Sequence, residues 1–167
     1  MLRLSKTAAG MAMLFGAGLV AAPALAQDTG TFRSVVVLLN DYTTLDHHAG
    51  VRVIAGPIEG VAVTVESSAA PWVAGSSSRV SCVAFARAGT DRLNLEAPCN
   101  VTDSDGDTWF AHSTREEMNA AGGGAGKTVI LGGTGKYAGI TGSCGYTVAN
   151  LPDNWQTTTI TCDWSRE

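Results

Sequence analysis

Basic residues are scarce in this sequence and do not form clusters. Its 167 residues include 11 Lys and Arg against 15 Asp and Glu, which gives a formal net charge of −4. Proteins that bind nucleic acids or anionic membranes depend on clustered Lys and Arg, because the phosphates of such partners are negatively charged. We therefore expect no nucleic-acid partner, and the sequence indicates no cofactor.

After residue 26 the sequence also lacks any apolar run long enough to cross a membrane. The N-terminus does have an apolar run, from Ala8 to Val20, which follows a short basic start and is closed by small residues ending at Ala26. This order is typical of a cleaved signal peptide. An uncleaved anchor is the alternative, but a membrane-spanning helix needs roughly 20 residues. We predict a signal peptide over residues 1–26 and an exported domain, periplasmic or secreted, over residues 27–167.

Common catalytic signatures are missing as well. The sequence has no Gly-x-Ser-x-Gly nucleophile motif, and no two of its histidines are spaced as metal ligands on a helix. Residues 121–128 (AGGGAGKT) resemble a relaxed phosphate-binding loop. Such a loop must join a buried strand to a helix, and neither flank has that pattern. We therefore expect no nucleotide site.

Four cysteines are present, and all of them lie in the predicted exported domain. An oxidising compartment favours disulfides over metal binding, with four unpaired buried cysteines as the alternative. Cys82 and Cys99 are centred on a polar break at residues 89–92, and Cys144 and Cys162 are centred on Asp153. Each pair would face its partner across a hairpin. The spacing thus predicts the disulfides Cys82–Cys99 and Cys144–Cys162.

Turn residues support these hairpins and add another. Residues 151–155 (LPDNW) favour a three-residue loop, because Pro152 presets the first turn position and Asn154 tolerates the left-handed conformation. Asp105-Gly106 is a strong hairpin signal. We expect residues 79–87, 93–101 and 107–114 to form a three-stranded meander.

Short strands dominate the remaining pattern. Further strands are predicted over residues 31–40, 51–54, 61–66, 127–131, 140–148 and 156–164, with one helical turn allowed over residues 115–121. Trp72 lies in a Ser- and Gly-rich loop and is expected to cover one end of the core. An all-β domain of about eight strands protects its edge strands by forming either a sandwich or a closed barrel. We predict a single small antiparallel β-barrel with disulfide-stapled hairpins.

The most distinctive segment is GGTGKYAGITG over residues 132–142. It contains five glycines, which allow sharp turns and close approach of backbones. These are Gly132, Gly133, Gly135, Gly139 and Gly142. The run resembles the glycine motif of allene oxide cyclase-like and dirigent-like β-barrels. That resemblance implies an eight-stranded barrel with an apolar cavity and a cyclase- or isomerase-like activity on a small lipophilic molecule. It also implies that the protein can form a homo-oligomer.

Three residues are weak candidates for catalysis. His112 shares the face of Phe110, and a lone imidazole pointing into a barrel would be a candidate acid or base. Glu66 and Glu96 lie in predicted strands, where burial in an apolar cavity would raise a carboxyl pKa. Glu66 lies on the opposite face of its predicted strand from the valines at 61, 63 and 65. Glu96 lies on the opposite face of its strand from the leucines at 93 and 95. Glu66 is therefore expected to face solvent, and neither glutamate is a strong candidate.

Three aspartates are a weak candidate for a calcium site. Asp103, Asp105 and Asp107 alternate around the turn at Gly106, and Ca²⁺ prefers oxygen ligands. The spacing departs from the helix-loop-helix calcium motif, because Gly106 comes too early and no Glu occupies the twelfth position. Aspartates also favour turns in their own right, so the hairpin interpretation is preferred and no metal is expected.

Two functions remain open at the level of sequence. The first is a barrel that binds a lipophilic small molecule, either as a binding module or as an enzyme. The second is an envelope interaction or structural protein whose barrel is filled by its own side chains. An apolar cavity of about 300 Å³ or more would favour the first.

Overall fold

A computed structural model describes residues 28–89, 92–119 and 122–167. The predicted signal peptide lies outside the described residues. Within the described residues nine strands form one antiparallel sheet: β1 (Thr29–Asn40), β2 (Thr43–Asp46), β3 (Arg52–Ser67), β4 (Ser77–Ala88), β5 (Leu93–Asp103), β6 (Thr108–Arg115), β7 (Gly124–Gly133), β8 (Ile140–Asn150) and β9 (Trp155–Arg166).

The sheet closes into a barrel because β1 pairs on both sides. It pairs with β9 on one side, where Val35 lies opposite Thr159, and with β3 on the other, where Val35 lies opposite Val63. The eight strands β1 and β3–β9 therefore leave no open edge between them, while short β2 adds only to β3. Closure satisfies the backbone groups that an open sheet would expose. The predicted β-barrel is confirmed, and the sandwich is excluded.

Two predictions of local structure are wrong. The strands expected over residues 51–54 and 61–66 are parts of one 16-residue strand, β3. Pairing of β3 with β4 continues from Arg52 to Val63 without interruption. The helical turn allowed over residues 115–121 is not formed in its described part, since Arg115 ends β6 and residues 116–119 are irregular.

Side chains alternate between the interior and the outer surface along each strand. In β1, Val36 and Leu38 are buried, whereas Val37 and Leu39 are each about two-fifths exposed. The apolar side chains of β1 therefore lie both in the interior and on the outer surface of the barrel. In β3 the buried members are Ile58, Ala62 and Thr64, and the valines at 61, 63 and 65 point outward.

Both disulfides form as predicted. Cys82 bonds to Cys99 and Cys144 bonds to Cys162, with Cα atoms 4.1 and 4.0 Å apart, and each pair lies directly opposite in its hairpin. The first hairpin closes with a hydrogen bond from Gly89 N to Arg92 O; its two central residues, 90 and 91, lie outside the described residues.

The second disulfide hairpin has the expected three-residue loop. It closes with a hydrogen bond from Leu151 N to Trp155 O. Asn154 is left-handed, with φ of 63°, and Asp153 shares that conformation. The β5–β6 turn likewise places Gly106 in a left-handed conformation, with φ of 89°. The turn residues thus fold as their chemistry predicts.

The two ends of the barrel differ in how they are closed. At one end the β3–β4 loop places Trp72 over the core, where its ring stacks on Phe32 with centroids 4.2 Å apart. Trp109, Tyr137 and Trp164 surround the same ring at 5.2–6.0 Å. These five aromatic side chains form a plug, which confirms the expected position of Trp72. We call the opposite end the mouth; of the described residues it includes 41–51, 89, 92, 116–119, 122–123 and 151–154.

Candidate functional site

The barrel interior contains a cavity with a free volume of about 120 Å³. Its walls are mainly apolar and include the Cys82–Cys99 disulfide, with the plug residues Phe32 and Trp109 at its floor. Small side chains make the space, because Ala62, Ala97 and Ala111 occupy inward positions on three strands. The cavity is smaller than the volume of about 300 Å³ that would favour ligand binding, yet the barrel is not filled.

Polar side chains interrupt the apolar wall at several positions, and some of their hydroxyls bond to neighbouring hydroxyls. The hydroxyls of Ser113 and Thr128 are 2.8 Å apart, and the hydroxyls of Ser34 and Thr64 are 3.4 Å apart. Neighbouring hydroxyls that pair with each other need no ligand to satisfy them. The deep part of the cavity is therefore suited to an apolar group.

The cavity opens into a wider space at the mouth. This outer part has a free volume of about 720 Å³ and is lined by the mouth loops and by the ends of their strands. Both parts share four lining residues, Tyr42, Leu95, Arg115 and Gln156. The two parts together form one site that is open at the mouth and closed at the plug.

Arg115 and two tyrosines surround the junction between the two parts. Arg115 continues the inward-facing row of Trp109, Ala111 and Ser113 along β6. Its Nη1 donates to the carbonyl of Gly122 at 3.2 Å. Burial raises the pKa of Tyr42 to about 12 and also raises the pKa of Tyr146, and in both cases the positive charge of Arg115 acts in the opposite direction. The junction is thus a positive site with two neutral phenols.

Gly126 allows Tyr146 to lie in this position. A side chain at residue 126 would collide with the Tyr146 ring, so glycine leaves the space over β7 that the ring fills. Tyr146 Oη then donates to the carbonyl of Thr114 at 3.2 Å. The sequence interpretation missed this group, although the alternation of residues 109, 111 and 113 would have placed Arg115 inside if the strand had been extended by one residue.

The weak catalytic candidates lie outside the cavity. His112 does share the face of Phe110, but Phe110 is 38% exposed and the inward positions on either side of His112 belong to Ala111 and Ser113. The catalytic hypothesis for His112 needed a face that points into the barrel, and this face points out.

The two candidate glutamates also face outward. Glu96 is exposed on β5. Glu66 pairs with Arg33 on the outer surface, where a bulge between Arg33 and Ser34 shifts the register by one residue. The pKa of the Glu66 carboxyl is lowered by its hydrogen bond with Arg33, which is the opposite of what a buried general acid requires. None of the three candidates lines the site.

The three aspartates converge on the glycine-rich segment. Lys136 Nζ lies 2.7 Å from Asp103 Oδ2 and 2.6 Å from Asp105 Oδ2, and the backbone N–H of Lys136 donates to Asp107 at 3.1 Å. Tyr137 Oη donates to Asp103 at 3.0 Å. Among the described residues no group of three or more potential ligands could hold a metal ion. In this arrangement the Lys136 ammonium lies between the carboxylates of Asp103 and Asp105, and Asp107 accepts from the backbone of the same residue.

The pKa of Asp103 reflects these contacts. Burial of this side chain opposes its ionised form, but hydrogen bonds from Lys136, from Tyr137 and from the backbone N–H of Asp105 outweigh that effect. The pKa of Asp103 therefore lies below its ordinary value. The charged cluster stabilises the β5–β6 and β7–β8 turns at the plug end.

The glycines of residues 132–142 allow the glycine-rich segment to approach the three aspartates closely. Gly135 is left-handed, with φ of 50°, and a Cβ there would collide with the Asp107 carboxylate. The turn that follows buries Tyr137 in the plug. These glycines thus shape the closed end of the barrel and are remote from the mouth.

The fold and the site define a small closed antiparallel β-barrel with an apolar interior that opens at one end. Neither a protein-family model nor a curated protein matches the sequence. In the described part of the chain, no helix is both long enough and apolar enough to cross a membrane.

Proposed function

We propose that this protein is exported and binds a small lipophilic molecule inside its barrel. The observation that carries the proposal is the asymmetry of the barrel: an apolar cavity has the aromatic plug at one end and adjoins the wider mouth at the other. Ligand sites in proteins are concave and mostly apolar, with a few polar groups that set the orientation of the ligand. The junction at Arg115 supplies such polar groups.

Binding is favoured over catalysis by the chemistry of the lining. Among the described residues that line the inner cavity, the ionisable side chains are Arg115, Tyr42 and Tyr146. The raised pKa values of the tyrosines keep them protonated near neutral pH, so neither is suited to act as a general base. A cyclase- or isomerase-like activity would therefore rely on shape and on hydrogen bonding by these groups.

The resemblance to allene oxide cyclase-like and dirigent-like barrels forms part of this proposal. Its support is the closed eight-stranded barrel together with the position of the glycine-rich segment at a turn that seals one end. Export is supported by the two disulfides, since such bonds persist in oxidising compartments.

An interaction or structural role in the envelope is the second candidate. It is favoured by an apolar outer surface on β1 and β3, where paired strands expose several aliphatic side chains. These are Val37, Leu39, Val61, Val63 and Val65, each between 38% and 49% exposed. A homo-oligomer that covers this surface is compatible with either function.

Native mass spectrometry of the protein purified from an exporting host tests the proposal. We expect a bound small molecule that is lost in Ala111→Leu, which fills the inner cavity, and retained in Ala149→Leu, which adds the same volume on the exposed outer face of β8. Uptake of an apolar fluorescent probe should follow the same order. A folded wild-type protein that carries no ligand and takes up no probe would refute ligand binding.

A further inference from the structure

Arg115 differs from most other described basic residues in lacking an acidic partner. Five of those residues are paired with carboxylates, namely Arg33, Arg52, Arg79, Lys136 and Arg166. Within the described chain no carboxylate forms an ion pair with Arg115, and its one hydrogen bond there is to a neutral carbonyl. Arg87, Arg92 and Lys127 also lack such a pair, but they project outward and are exposed to solvent.

The location of Arg115 makes this difference chemically significant. Its side chain is half-buried at the point where the inner cavity meets the mouth. A charge withdrawn from water costs free energy unless an opposite charge or hydrogen bonds compensate it. A guanidinium has five donors in a planar fork that matches a carboxylate, and the described residues accept from only one of them.

We propose that the site selects a lipophilic molecule with a single carboxylate, which binds Arg115 while its apolar tail enters the inner cavity. This inference rests on the proposed binding function and deepens it by naming the ligand class. Arg115 is the one cation among the described residues that line the inner cavity, and Arg52 in the outer part is paired with Asp46, so the site favours a monoanion over a dianion. The protonated phenol of Tyr42 can donate a further hydrogen bond to the same head group.

The volume of the inner cavity limits the length of the tail. A water molecule needs about 10–15 Å³ of free volume measured in this way, so 120 Å³ holds on the order of ten waters. A methylene group displaces about as much volume as one water molecule. The tail that fits below Arg115 is therefore a short one, of about eight carbons, and octanoate is a suitable probe.

Isothermal titration with three octyl compounds tests head-group selection. We expect octanoate to bind at least about tenfold more tightly than 1-octanol, because hydrogen bonds to charged groups are the stronger kind. Octylammonium should bind more weakly than either, since it places a second positive charge beside Arg115. Equal affinities for octanoate and 1-octanol in the wild-type protein would overturn the inference.

Variants of Arg115 test whether this side chain is responsible for head-group selection. Arg115→Gln should weaken octanoate binding about tenfold or more and leave 1-octanol binding within about twofold, and Arg115→Lys should retain part of the preference. Arg87→Gln is the matched control, because it removes the same charge from an exposed side chain on β4 that lines neither part of the site. An equal loss in this control would assign the effect to net charge and refute a contact at Arg115.

Failure of this inference is distinguishable from failure of the proposed function. If 1-octanol and octanoate bind equally and Ala111→Leu abolishes both, the barrel binds lipophilic molecules without selecting a carboxylate. If neither compound binds the folded wild-type protein and the apolar probe is also excluded, ligand binding itself is refuted. If Arg115→Gln fails to fold, Arg115→Lys can be tested in its place because it keeps the charge. The comparison of the three octyl compounds on the wild-type protein then still decides whether the site selects a carboxylate.

Discussion

Replacing Trp72 with alanine should remove the plug and strongly destabilise the barrel. The side chain is 5% exposed and contacts the rings of Phe32, Trp109, Tyr137 and Trp164. A buried Trp contributes roughly 200 Å² of burial, which at about 25 cal/mol per Å² corresponds to about 5 kcal/mol. The loop at the barrel end can relax inward and recover part of this. We therefore expect a loss of about 3–5 kcal/mol in the free energy of unfolding.

Urea unfolding followed by far-UV circular dichroism measures this loss. Val73→Ala is the control from the same loop, because Val73 is 60% exposed, and it should cost no more than about 0.5 kcal/mol. Trp72→Phe should recover a substantial part of the stability, since it preserves the stack on Phe32. A loss below about 1 kcal/mol for Trp72→Ala would refute the assignment of this side chain as the plug.

Three further predictions concern the charged cluster, the disulfides and the N-terminus. Because the folded-state pKa of Asp103 is lowered, its stabilising contribution is present above about pH 4 and is lost as the pH falls through the folded-state pKa. Asp103→Asn should therefore lower the free energy of unfolding by about 1–3 kcal/mol at pH 7 and by much less at pH 2. An equal loss at pH 7 and at pH 2 would contradict this prediction. Replacing Cys144 and Cys162 together by alanine should lower the free energy of unfolding by about 2–4 kcal/mol in urea titrations, and a smaller loss would count against a structural role for this bond. The intact mass of the exported protein should correspond to a chain that begins at Gln27, and a mass that includes residues 1–26 would contradict cleavage.

Local chemistry made the hairpins predictable. Cys144 and Cys162 are equidistant from Asp153, and Asn154 tolerates the left-handed conformation that the loop requires. These features depend on residues close in sequence, so the register of each hairpin follows from the turn alone. The all-β class was predictable for the same reason, because the alternating apolar runs are short and turn residues separate them frequently.

The faces of the strands were harder to predict. Alternation shows that Val61, Val63 and Val65 share one face, but it does not show which face is the interior. In the structure Ala62 and Thr64 are inside, because the narrow barrel accommodates small side chains there. The same ambiguity affected His112, whose face was identified correctly but points outward. Only the direction in which the sheet curves decides such cases.

The candidate site itself was decided by tertiary structure. The residues at the junction come from the β1–β2 connection, from β6 and from β8, which are distant in sequence and carry no motif. Closure of the barrel brings Tyr42, Arg115 and Tyr146 to one junction. The sequence by itself determined the two disulfides and the turns, because each depends on a short segment or on a pair centred on one. The closure of β1 onto β3, the aromatic plug and the position of Arg115 at the junction depend on long-range pairing, which no local pattern encodes.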